Sequence, residues 1–302
     1  MQILSNNIKN VQGEVVIVSD LIDDFNENSI ETAKMESLKN ADSKYIKYGS
    51  YIDSYSVKTL RDIELFHKPK GDYFLINKVK YYSLNDKRIN YYSSVLFELL
   101  KKVSSNSKKI KKILIIGLGN KQIQCDSLGG AVCDKSSELV PNKNNLFTFQ
   151  PDVFGKTGFE TFNVIKALVN LEKIDLVIVV DALCATSYKR LCSSIQVTNS
   201  GISPGSGIKN NRVGLSKDGL GCEIIAIGVP LMIYAGSIVK NALDDISILN
   251  NNQEVFMDRL KKYLDSNCGD FIVSLSNIES IVRNFSIIIS SALEKYINFT
   301  LN

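Results

Sequence analysis

One histidine in 302 residues is the chain's sharpest shortage. It is His67, in the charged stretch ELFHKPKGD, and it reads as a solvated loop residue. Zinc sites built from several imidazoles are therefore excluded, and Ser/His or Cys/His pairs stay open only if His67 itself serves. No run of about 18 uncharged apolar residues occurs, and the opening MQILSNNIKNVQGEVVIVSD has no basic region followed by a long apolar segment. Neither a spanning helix nor a signal peptide is expected, which points to the cytoplasm and to no membrane partner. CxxC spacing is also missing: Cys125, Cys133, Cys184, Cys192, Cys222 and Cys268 are scattered through a chain too large to need stapling, and read as free thiols. The formal net charge is only +4 with lysines dispersed, so the footprint of a nucleic-acid binder is lacking and no direct nucleic-acid partner is expected.

What is present suits a large buried core. A hydrophobic content of 44% over this length fits one large domain with an elaborated end. Residues 1–20 are read as a leader and 21–302 as a single α/β domain, divided into a strand-rich part (21–108) and a core with C-terminal helices (109–302). In the first part EVVIVSDL, YIDSYSVKTL and DYFLINKVKYYSL alternate as strands do. YYSSVLFELLKKV then repeats Val95, Leu96, Leu99, Leu100 and Val103 at helical spacing. KKILII is short and continuously apolar, which predicts a strand buried on both faces of a parallel sheet. TGFETFNVIKALVNLEK predicts a helix with Thr157 or Thr161 as N-cap, DLVIVVD, SSIQVTNSG and GCEIIAIGVP predict further strands, and QEVFMDRLKKYLDS and IESIVRNFSIIISSALEKYI predict packed helices. The expected fold class is α/β: a three-layer α/β/α sandwich with a mostly parallel sheet, phosphorylase/hydrolase-like.

The glycine loop GLGNKQIQCDSLGG (117–130) directly follows KKILII. A dinucleotide fingerprint needs a third glycine where GLGNKQ has glutamine, so that reading fails. In open α/β sheets the functional crevice lies beyond the carboxyl ends of the strands. Asp126, in this loop, and Asp181, closing DLVIVVD, fall at two such ends. Two carboxylates there could share a proton, one serving as base towards water and the other as acid towards a leaving amine. Each also has a structural reading: Asp126 as cap of a helix starting at Ser127, Asp181 as a loop-orienting group, and capping is compatible with catalysis. NSGISPGSGIKNNR (199–212) sets Gly201, Gly205 and Gly207 around Ser206, which makes either a tight connection or a backbone cradle for phosphate, an oxyanion or extended peptide. Lys209 and Arg212 either bind an anionic group or are solvated. Ser206 lacks the strand-to-helix elbow and the histidine of a nucleophile. Cys125 and Cys184, close to the two aspartates, read as small core residues.

KPKGDYFLI (68–76), IIGLGNKQIQCDSLGG (115–130), FQPDVFGKTGFET (149–161), VIVVDALCA (177–185), SSIQVTNSGISPGSGIKNNR (193–212) and IIAIGVPLMIYA (224–235) resemble, in this order, the germination proteases of spore-forming bacteria. The resemblance implies an atypical aspartic endopeptidase without cofactor, acting on small acid-soluble spore proteins in the spore interior. It implies Asp126 and Asp181 as the catalytic pair, and Gly119, Asn120, Gly201, Gly205, Ser206, Gly207 and Arg212 are expected to hold substrate. It further implies a fold like that of hydrogenase-maturation peptidases, a homotetramer and synthesis as a zymogen. The chain departs from the family's pattern at Cys125, where the family has proline, at Thr186, where it has arginine, and at DKSSE (134–138), where it has a basic stretch. VSDLIDDF (18–25) is the nearest counterpart of the family's processing segment, with self-processing expected near Ser19. Two other readings remain open: a metal-assisted peptidase with Asp126 and Asp181 as hard ligands and His67 as the one imidazole, and a catalytically silent member that binds spore proteins or serves in assembly.

Overall fold

The computed structural model describes residues 20–22, 42–104, 110–139, 145–152, 157–203, 213–247, 263, 267 and 271–301. In chain order the elements are β1 (Asp42–Tyr45), β2 (Tyr51–Val57), α1 (Leu60–Phe66), β3 (Gly71–Asn77), α2 (Asp86–Val103), β4 (Ile113–Gly117), α3 (Leu128–Leu139), β5 (Leu146–Phe149), α4 (Thr161–Glu172), β6 (Leu176–Ala185), β7 (Ile195–Thr198), α5 (Lys217–Leu220), β8 (Glu223–Tyr234), α6 (Ala235–Ser247), β9 (Ile272–Val273) and α7 (Ile278–Leu301). The strands form one sheet in the order β1-β2-β3-β7-β8-β6-β4-β5, with β9 added to β8.

The continuously apolar runs became the centre of that sheet. β4, β6 and β8 lie side by side and parallel, with β5 parallel beyond β4. Alternate residues of these strands feed two cores, because successive side chains in a strand face opposite ways. Ile113, Ile115, Ile178, Val180, Ile225 and Ile227 pack under α2, α3 and α7. Leu114, Ile116, Val177, Val179 and Ile224 pack under α4 and α5. This is the α/β/α sandwich the patterning predicted. In α7, Ile278, Ile281, Val282, Phe285, Ile288, Ile289, Ala292, Leu293 and Tyr296 are all buried, a stripe spaced by three and four that packs the helix against α2 and α3. Each such Leu, Ile or Phe stabilises the fold by roughly 1.5–3 kcal/mol through removal of apolar surface from water.

The rest of the sheet is antiparallel. β1, β2 and β3 form the strand-rich extension as successive antiparallel neighbours, and β3 joins β7, which is itself antiparallel to β8. SSIQVTNSG thus does not continue the parallel pattern. Only residues 186–194 separate β6 from β7, too few for the crossover of about a dozen residues or more that a parallel return requires.

Two local expectations also need correcting. Helix α4 begins at Thr161 with Glu160 as the flanking residue and no side-chain cap, while the Thr157 hydroxyl accepts the Phe159 N–H at 3.2 Å. Helix α2 starts well before YYSSVLFELLKKV, because the Asn85 side chain accepts the Arg88 N–H and caps an earlier turn. QEVFMDRLKKYLDS lies outside the described residues but for Tyr263, as does EVVIVSDL but for Asp20 and Leu21. Among the described residues no helix is long and apolar enough to cross a membrane, and the described cysteines are free thiols.

Candidate active site

The site begins with a difference in strand length. β4 ends at Gly117, opposite Val180 of β6, and Leu118 still donates its N–H to the Val180 carbonyl at 2.9 Å. The chain then turns away at Gly119 with φ +101. A Cβ there would lie 2.1 Å from the Asp126 carbonyl oxygen and 2.8 Å from its Oδ1, so the position accepts only glycine. Asn120 donates its N–H to Asp126 Oδ2 at 2.8 Å, and the Asn120 side chain accepts the Gln122 N–H at 3.0 Å. A 3-10 turn over Gln124–Asp126 completes the loop. At the start of α3, a Cβ on Gly129 would sit 2.6 Å from the Val180 carbonyl oxygen. The loop's glycines serve close approach of backbone to backbone, and the carboxylate of Asp126 is what the loop is folded around.

Asp181 follows Val180 and is the first residue of β6 beyond its pairing with β4. It does not end its strand, since β6 continues to Ala185, but it is where the β4 side of the strand becomes uncovered. Asp181 is 7% exposed, and its Oδ1 accepts the Ala182 N–H at 2.9 Å. Two residues further, the Cys184 N–H donates to Asp20 Oδ2 at 2.8 Å. Asp126 thus lies in the loop after β4, while Asp181, expected to close its strand, lies within β6 just past the level at which β4 ends. Across the sheet Asp181 is level with Gly228 of β8 and Gln196 of β7.

Cysteine chemistry finds no support in this surrounding. Burial pushes the Cys125 thiol up, and the adjacent Asp126 charge pushes it further. Burial likewise pushes Cys133 and Cys192 up to about 12. A thiol held protonated in this way is a poor nucleophile. His67 is exposed and closes α1 in the left-handed region at φ 47. Among the described residues no group of three or more His, Cys, Asp or Glu side chains is set to hold a metal ion.

Of the positions expected to hold substrate, Gly119 and Asn120 lie against Asp126. Gly201 serves the fold: its φ is +91, a Cβ would lie 1.9 Å from the Leu215 carbonyl oxygen, and Ile202 and Leu215 exchange backbone hydrogen bonds of 2.9 and 2.7 Å beside it. Gly205, Ser206, Gly207 and Arg212 lie outside the described residues, as does Lys209. Sequence reading passed over Gln196 and Asp20. Gln196 Oε1 accepts the Ile22 N–H at 2.9 Å, and Gln196 Nε2 donates to the Asp20 carbonyl at 3.3 Å. The signal available in sequence was a carboxamide inside the apolar strand IQVT.

Known proteins match this chain along most of its length. The family model described as germination protease matches residues 20–259. The germination protease of Caldanaerobacter subterraneus subsp. tengcongensis is 30% identical over 257 residues, covering 75% of this chain and 78% of that one. The germination protease of Clostridium perfringens is 31% identical over 255 residues, covering 75% and 78%, and that of Bacillus subtilis is 37% identical over 152 residues, covering 47% and 41%. Among solved structures the chain aligns with a [NiFe] hydrogenase maturation protease, HycI, from Thermococcus kodakarensis, with a TM-score of 0.37 and 17% identity, covering 65% of this chain and 98% of that one.

Proposed function

The chain belongs to the germination protease family of peptidases, and from that premise we propose that it cleaves small acid-soluble spore proteins with a water activated between Asp126 and Asp181. The observation that carries this reading is the placement of both carboxylates where β6 outruns β4. In the reaction one carboxylate is ionised and the other protonated. The ionised group takes a proton from water, the water oxygen attacks the scissile carbonyl carbon, and the protonated carboxyl gives its proton to the amine nitrogen as the C–N bond breaks. Because the groups act as a pair, the proton is shared between them and returns to its starting place after each turnover. The N–H groups of Asn120 and Ala182 orient the two carboxylates. The same reading has the protein work in the spore interior as a homotetramer made as a zymogen.

The test is cleavage of a small acid-soluble spore protein by the chain with any pro-segment removed and by its Asp126→Asn and Asp181→Asn variants in the same form, each with and without chelator. Both variants keep an oxygen that can accept the hydrogen bond now made by the carboxylate, so their folds should be retained. Cleavage that survives chelation and drops by about a thousandfold or more in each variant agrees with general acid–base work by both groups. Loss on chelation with recovery on adding metal would replace the dyad with a metal site. Absence of cleavage by the wild type, with binding retained, would favour a silent family member.

A further inference from the structure

Gln196 is a polar side chain where the sheet has no need of one. Its strand neighbours Ile195 and Val197 are fully buried in the core beneath α2 and α7, so Gln196 projects from the opposite face. There it stands in a row with Leu75 of β3 on one side and Gly228 and Asp181 on the other. It is 7% exposed. A buried carboxamide is costly unless its donor and acceptor are both used.

Both are used on a peptide backbone. The carboxamide oxygen takes the N–H of Ile22 and the carboxamide nitrogen gives to the carbonyl of Asp20. A carbonyl and an N–H two residues apart are the pair that a neighbouring β-strand would bond, and the side-chain amide offers the matching donor and acceptor together. Such a grip reads main chain and not side chain. On either side the same segment meets further fittings: Ile22 packs into a cluster with Val57, Tyr73 and Leu75, and the Asp20 carboxylate takes the Cys184 N–H on the uncovered side of β6. Between the grip and Asp181 stands Gly228, whose missing side chain leaves room for Leu183 to lie over it.

We propose that Gln196 is a positioning residue that holds the main chain of a peptide substrate across this face beside Asp181, and that Asp20–Ile22 occupies the place which that substrate takes. The proposal rests on the reading of Asp126 and Asp181 as the reaction centre. Substrate and segment then compete for one grip.

The competition sets the design of the test. Removing the grip alone weakens both occupants, so Gln196→Met is measured beside Ile22→Ala, which loosens the chain's own segment and spares the carboxamide. Affinity for an intact small acid-soluble spore protein is read by calorimetry in full-length chains carrying Asp126→Asn, and kcat and KM are read in chains that keep Asp126 and have any pro-segment removed. Adding Ile22→Ala should tighten substrate binding by about threefold or more. Adding Gln196→Met to Ile22→Ala should then weaken binding, and raise KM, by about tenfold or more for two lost main-chain hydrogen bonds, with kcat within about threefold. Hydrogen exchange at Leu21 and Ile22 should accelerate in Gln196→Met while β6 and β7 keep their protection. Affinity unchanged between Ile22→Ala and the double variant would overturn the proposal and leave Gln196 as an anchor of the chain's own segment. A fall in kcat with KM unchanged would overturn it also. If the active chains fail to cleave while the affinity pattern holds, the reaction assigned to the aspartates fails and the grip stands.

Discussion

Gly119→Ala separates the placing of Asp126 from the folding of the chain. Two costs meet at this residue. A φ of +101 strains any L side chain, by roughly 1–3 kcal/mol. The new Cβ would also lie 2.1 Å from the Asp126 carbonyl oxygen and 2.8 Å from Oδ1, where ordinary contact begins at 3.4 Å. The loop must therefore retreat by about 1 Å, a displacement that costs a reacting group on the order of a hundredfold in rate. Gly49→Ala is the control, because Gly49 also has positive φ (+75) but nothing within 4 Å of a Cβ. Urea melts should show Gly49→Ala destabilised by the strain alone, roughly 1–2 kcal/mol, and Gly119→Ala by a further 1–2 kcal/mol or so. Steady-state cleavage should show kcat down by about a hundredfold in Gly119→Ala and unchanged in Gly49→Ala. A folded Gly119→Ala chain that cleaves within about threefold of wild type would refute the reasoning, since Asp126 could not then depend on the close approach for its position.

Asp175 stitches β4 to β6 away from the reaction: its Oδ2 accepts the N–H groups of both Lys111 and Lys112 at 2.9 Å. Asp175→Ala should lower stability by about 1–3 kcal/mol in urea melts and leave kcat and KM as they are. Alkaline pH should weaken the fold through its thiols. Burial raises Cys133 and Cys192 to about 12 and Cys222 to about 11 from an ordinary 9.0. Their contribution is complete well below pH 9, and it is lost as pH rises toward those values because the unfolded chain gives up its protons first. Between pH 9 and 10 urea midpoints should fall by an amount equivalent to about 1 kcal/mol for each thiol, with a smaller fall between pH 8 and 9, and Cys133→Ala should remove one share of that loss.

How much could be read in advance follows from where the information resides. KKILII, DLVIVVD and GCEIIAIGVP announce their places in the sheet because burial on both faces requires apolar residues at every position, and that is a local property. The stripe of α7 was legible for the same reason. The direction of β7 was not, since it depends on the length of the connection and on which neighbour has a free edge. Asp126 and Asp181 stood out as carboxylates following apolar strands, but the length of β6 beyond β4 is a relation between two strands that neither sequence states. Gln196 was the least legible, because its partner Ile22 is 174 residues away and nothing within SSIQVTNSG hints at it.

Under the proposed reaction, the overhang of β6 lets one residue serve structure and chemistry together. Val180 still bonds β4 through Leu118. With the period of two along a strand, the N–H groups of Ala182 and Cys184 point to the same side, where β4 has ended. Buried backbone donors must find acceptors. Here Asp181 supplies one and Asp20 the other. An acceptor oxygen at Asp181 is thus demanded by the sheet whether or not any reaction takes place, and an asparagine meets that demand as well as an aspartate. Asp181→Asn should therefore melt close to wild type and lose cleavage, whereas Asp181→Leu should lose cleavage and also about 1–3 kcal/mol of stability through the uncovered Ala182 donor. If the two variants melted alike, the hydrogen bond to Ala182 would contribute nothing, and the carboxylate would owe its place to the chemistry alone.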